Sequence, residues 1–107
     1  MYNFAIEIDG PDGPFGAAHA AELVYVFGTG PAFTPEQRAV SDHMQAYWAN
    51  FAKHGDPNAD PLLAWPQLSE AGQPRLNFGL PEGVVRDFRS VECVFWRMQY
   101  DAAFASQ

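Results

Sequence analysis

Hydrophobic positions change period along this chain, and the changes mark its elements. Tyr2, Phe4, Ile6 and Ile8 alternate with Asn3, Ala5 and Glu7. A period of two predicts a strand over residues 2–8 with one apolar face. The turn chemistry of Asp9-Gly10-Pro11-Asp12-Gly13-Pro14 ends it. A short strand needs neighbours, and little else in the chain offers them, so this one is expected to stand alone. Residues 20–26 predict a short helix, closed by Gly28-Thr29-Gly30-Pro31. Val40, Met44, Tyr47, Trp48 and Phe51 then fall on one helical face, predicting a long amphipathic helix near 35–54. Thr34 is its N-cap, Pro35 takes the first position and Gln37 completes a capping box. Gly55 stops it, with Pro57 beyond.

Residues 56–74 read as loop, punctuated by Asp56-Pro57-Asn58, Asp60-Pro61, Trp65-Pro66 and Pro74. Arg75-Leu76-Asn77-Phe78 predicts a short strand, and Gly79 to Gly83 turn the chain. Phe88, Val91, Phe95, Met98 and Ala102 lie near one stripe, predicting a C-terminal helix near 86–104. The pattern is an α/β one. No repeat, low-complexity tract or linker divides it, so residues 1–107 form one unit. Trp48, Phe51, Trp65, Phe95 and Trp96 are expected to serve core packing. Cys93, on an apolar helix beside Glu92, is expected to be a buried, unreactive thiol.

Composition narrows the chemistry. Hydrophobic residues make up 48% of the chain and aromatic ones 15%, which argues against a disordered tail. Six basic residues face thirteen acidic ones, a net charge of −7. That balance argues against nucleic acid, which needs clustered Lys and Arg, and against an anionic membrane surface. One cysteine leaves no internal disulfide and no multi-cysteine metal site. No apolar run approaches the roughly 18 residues of a membrane span. The N-terminal residues show no basic stretch and no long apolar core, so they do not read as a signal peptide. His43 and His54 lack partners at metal-ligand spacing, and His54 suits a helix C-terminus.

The most informative residue is His19, in Gly16-Ala17-Ala18-His19-Ala20-Ala21-Glu22-Leu23-Val24-Tyr25-Val26-Phe27-Gly28. Small residues leave room around its imidazole. This run resembles the catalytic-histidine segment of the type-B carboxylesterases. The resemblance continues in the same order through Tyr47-Trp48-Ala49-Asn50-Phe51-Ala52-Lys53-His54-Gly55-Asp56-Pro57-Asn58, Trp65-Pro66, Arg75-Leu76-Asn77-Phe78 and Glu92-Cys93-Val94-Phe95-Trp96. It covers nearly the whole chain. It implies the C-terminal part of an α/β-hydrolase fold, a single partial domain over 1–107. That fold carries its triad in the order Ser, then Asp or Glu, then His.

The resemblance makes His19 the triad histidine, a general base and then a general acid in serine-dependent hydrolysis of a carboxylic ester. It implies no cofactor and no metal. It places the triad acid in a segment absent from this chain, leaving Glu22 a hydrogen-bonding role near the site or a merely solvated one. Tyr25 and Phe27 are the substrate-pocket candidates. No Gly-x-Ser-x-Gly elbow surrounds Ser41, Ser69, Ser90 or Ser106, and the glycine-rich oxyanion segment is absent. The chain alone is therefore expected to be inactive. Two other readings stay open. One is an esterase-like adhesion or interaction domain without catalysis. The other is a short product that self-associates or needs a complementing chain to cover its apolar faces.

Overall fold

A computed structural model describes residues 1–7, 9, 10, 13, 14 and 16–105. Ile8 of the expected strand, and Pro11 and Asp12 of the turn after it, lie outside the described residues. The elements run β1 (Tyr2–Phe4), β2 (Asp9–Gly10), β3 (Gly13–Pro14), α1 (Leu23–Val26), α2 (Pro35–His54), β4 (Arg75–Phe78), β5 (Gly83–Val85) and α3 (Ser90–Phe104).

The first strand is shorter than its alternation suggests, and it is not alone. β1 pairs in parallel with β4, placing Tyr2 opposite Leu76, Asn3 opposite Asn77 and Phe4 opposite Phe78. β5 pairs with β4 on its other side, antiparallel. The partner of β1 lies more than seventy positions away, a separation at which local periodicity carries no pairing signal. β2 and β3 form a separate two-residue ladder. Alternation in β4 buries Leu76 and Phe78 and turns Arg75 and Asn77 to the other face. There Asn3 Nδ2 donates to Asn77 Oδ1 at 2.7 Å.

α2 has the expected bounds and both expected caps. Thr34 Oγ1 accepts from Gln37 N, and the Gln37 side chain accepts from Thr34 N. Gly55 closes the helix at φ +73, the left-handed conformation that a side chain disfavours. Lys53 and His54 occupy its last turn, where positive charge suits the helix dipole. Val40, Met44 and Tyr47 meet Ile6, Tyr25, Leu76 and Phe78 in one core.

The aromatic expectations divide. Trp48 and Trp65 pack against that core. Phe51, Phe95 and Trp96 do not: they are 60%, 53% and 67% exposed. α3 also starts four positions later than expected, because Asp87 and Arg89 take positive φ and residues 86–89 cannot be helical. It buries none of its residues. Cys93 is exposed rather than buried. Its apolar neighbours line a helix that stays exposed among the described residues. The Cα radius of gyration, 16.9 Å, reflects this; a compact domain of this length has about 13 Å.

Candidate functional site

His19 lies in the turn leading into α1, with its side chain exposed. Ala18 N donates to Gly16 O at 3.0 Å and Ala21 N to Ala18 O at 3.1 Å, so the backbone reverses around the imidazole. Ala20, next to His19, has φ +65. A left-handed alanine costs about 1 kcal/mol, strain of the kind that collects at working sites. Ala21 is buried.

α1 carries the turn to the core. Leu23 N donates to Ala20 O, and Tyr25 N and Val26 N to Glu22 O, so one unbroken series of bonds joins the turn to the helix. Tyr25 is 2% exposed, with its ring 5.0 Å from Phe4 and 4.4 Å from Phe33. Burial raises the pKa of its phenol. Ser41 Oγ donates to Tyr25 O at 2.7 Å. Ser41 is the buried polar residue among the described side chains. Gln45 Nε2 donates to Ser41 Oγ and to Ser41 O, both at 3.3 Å. Arg38 donates to Gly28 O at 3.4 Å and Gly30 O at 3.3 Å, and its guanidinium lies 4.7 Å from the centre of the Phe33 ring. Gly28 ends the segment at φ +65, where a Cβ would approach Gln45 Nε2 to 2.9 Å.

Of the four residues singled out from the sequence, all lie in this one segment, but their surroundings differ. Glu22 is half-buried at the start of α1 and makes no side-chain cap bond. Burial, and then the Glu22 charge, raise the pKa of Tyr2, so the Glu22 carboxylate is felt toward β1. Among the described residues no hydrogen bond joins Glu22 to His19. Tyr25 faces the core and Phe27, at 70% exposure, faces solvent. Arg38, Ser41 and Gln45 were not singled out as a group. Their only sequence signal is polar spacing of three and four along α2, which reads as an ordinary solvated flank.

His43 makes one side-chain contact, of no metal-binding kind. Its Nδ1 stands 2.6 Å from Glu82 Oε2, in the turn between β4 and β5. A cleft of about 520 Å³ lies elsewhere, against Tyr2, Trp48, Phe51, Asp56 and Trp65. His19 does not line it. Among the described residues no set of three or more His, Cys, Asp or Glu side chains could hold a metal ion, and no helix is long and apolar enough to cross a membrane.

The carboxylesterase family model matches residues 1–96, and the chain belongs to that family. It is 38% identical to a rat (Rattus norvegicus) acylcarnitine hydrolase over 85 residues, covering 75% of this chain and 15% of that protein. It is 36% identical to a human cocaine esterase over 86 residues, covering 76% and 15%. A thermophilic PNB esterase superimposes with a TM-score of 0.75 at 26% identity, over 86% of this chain and 20% of that one. The chain thus spans about 15% of the length of the curated relatives it matches. Its short mixed sheet and helices are part of an α/β-hydrolase fold.

Proposed function

We propose that this chain is the C-terminal portion of a carboxylic-ester hydrolase and supplies the histidine of its triad, His19. The observation that carries the proposal is the exposed imidazole on a turn whose next helix is bonded into the core through Tyr25 and Ser41. A neutral imidazole so held can take the proton of an attacking serine and return it to the leaving alkoxide. The serine, the triad acid and the oxyanion donors come from the remainder of the esterase, as no elbow motif exists in these 107 residues. Glu22, half-buried at the start of α1, is read as part of the histidine's surroundings, and Phe27, which faces solvent where Tyr25 faces the core, is the better-placed of the two pocket candidates. The apolar residues that α3 leaves in solvent support the need for a covering protein surface.

Two assays test this. The 107-residue chain alone is expected to show no His19-dependent turnover of p-nitrophenyl butyrate. In the native polypeptide carrying this sequence, His19→Ala is expected to lower kcat by about 10⁴-fold or more. Full activity in that variant would overturn the reading. So would turnover by the isolated chain that disappears with His19→Ala, because the nucleophile would then have to lie within it.

A further inference from the structure

We propose that Ser41 is a positioning residue for His19, acting through the Tyr25 carbonyl, with Gln45 and Arg38 completing the cradle. This rests on the assignment of His19 to the triad. Three observations on one face of α2 carry it. Ser41 is fully buried, yet its hydroxyl is spent on another element: it donates to Tyr25 O at 2.7 Å. Gln45, one turn on, donates to the same hydroxyl and fills the space that a side chain at Gly28 would need. Arg38, one turn back, donates to the carbonyls of Gly28 and Gly30. The three side chains therefore hold four consecutive features of the segment that follows His19: the end of α1, its left-handed closing glycine, the loop beyond, and Phe33 beneath the guanidinium.

Serine suits this position for a physical reason. A helix as short as α1 leaves its last carbonyls without helical partners. Tyr25 O receives only a 3.2 Å bond from Gly28 N within its own segment. A small side chain lets the two helices approach, and its hydroxyl satisfies the carbonyl at the point of contact. Because the backbone bonds between Gly16 and Gly28 span overlapping stretches, 18–21, 20–23 and 22–25 among them, a shift at Tyr25 passes along the backbone to the turn holding the imidazole. A triad tolerates little such shift, since displacement by about 1 Å can cost 10²-fold in rate.

The test has two arms. In the native esterase, Ser41→Ala is expected to speed backbone hydrogen exchange from His19 to Gly28, with that of Leu76 and Phe78 in β4 unchanged. Changes that stop at Tyr25 would overturn the proposal. In the native esterase, Ser41→Ala is expected to lower kcat by about 10- to 100-fold with KM within a factor of two. Ser41→Cys, which keeps the shape and weakens the donor, should fall between, and serves if the alanine variant does not fold. Unchanged kcat in both variants, where His19→Ala is inactive, sinks the positioning role and leaves the triad assignment standing. Unchanged kcat in His19→Ala sinks both.

Discussion

His43 Nδ1 stands 2.6 Å from Glu82 Oε2 across thirty-nine positions of sequence, tying the middle of α2 to the turn between β4 and β5. A carboxylate only accepts hydrogen bonds, so the imidazole proton sits on Nδ1. The histidine side chain is 45% exposed and the glutamate 17%. At that exposure, solvent screens much of the attraction. A double-mutant cycle on His43→Ala and Glu82→Gln is expected to give a coupling of about 0.5–1 kcal/mol. Coupling near zero in urea unfolding would mean that the contact is incidental.

The same glutamate acts on Tyr47. Burial, and then the Glu82 charge, push the Tyr47 phenol up to about 12. Its hydroxyl donates to Leu63 O at 2.5 Å. The sign is fixed by linkage. The unfolded chain releases the phenolic proton near pH 10 and the folded one only near pH 12, so stability is full below pH 10 and falls between these values. The loss expected from Tyr47 by pH 12 is about 2–3 kcal/mol. The raised phenol of Tyr25 acts in the same direction. Tyr47→Phe should start about 1 kcal/mol less stable at neutral pH, through the lost hydrogen bond, and then decline less steeply above pH 10. Parallel wild-type and Tyr47→Phe stability curves from pH 9 to 12 would contradict this account.

Thr34 is expected to be worth about 1 kcal/mol to the chain, because Thr34→Ala leaves the Gln37 amide without its capping acceptor. Thr34→Ser keeps the oxygen and should recover most of that. Chemical denaturation of both variants reads the difference directly. An alanine variant as stable as wild type would show that the first turn of α2 contributes nothing to the cooperative unit.

What was legible in the sequence follows from the range of the forces involved. α2 was readable from Thr34 to Gly55 because caps, proline and glycine act within one or two turns. β4 was readable because its alternation is local. The pairing of β1 with β4 was not, since the register of Asn3 against Asn77 is set by a shared core and not by either segment. The same limit hid the His43–Glu82 contact and the Ser41 bond to Tyr25. Of the candidate site, the turn was legible, since small residues flank His19 there. Which side of α1 faces the core, separating Tyr25 from Phe27, depends on where α2 lies.

α3 shows a different failure, and it yields the last prediction. Its stripe of Val91, Phe95 and Met98 reads as a core face, yet all three are exposed, at 78%, 53% and 63%. A periodic apolar stripe records that a surface is to be covered, but not that the covering surface belongs to the same chain. Cys93 lies on this helix, and as an exposed thiol it is open to reagent. In the isolated chain, Ellman's reagent is therefore expected to titrate one thiol without denaturant, at a rate within a few-fold of that in guanidinium. Trp96, at 67% exposure, should likewise account for most of the iodide-quenchable fluorescence and be lost as a quenchable population in Trp96→Phe. Trp48 and Trp65, packed against the core, should resist quenching. Slow thiol reaction together with a protected Trp96 would mean that α3 is covered in solution. Dilution would then decide whether the cover is a second copy: a rate that rises as concentration falls reports dissociation, whereas a constant rate places the cover within the chain.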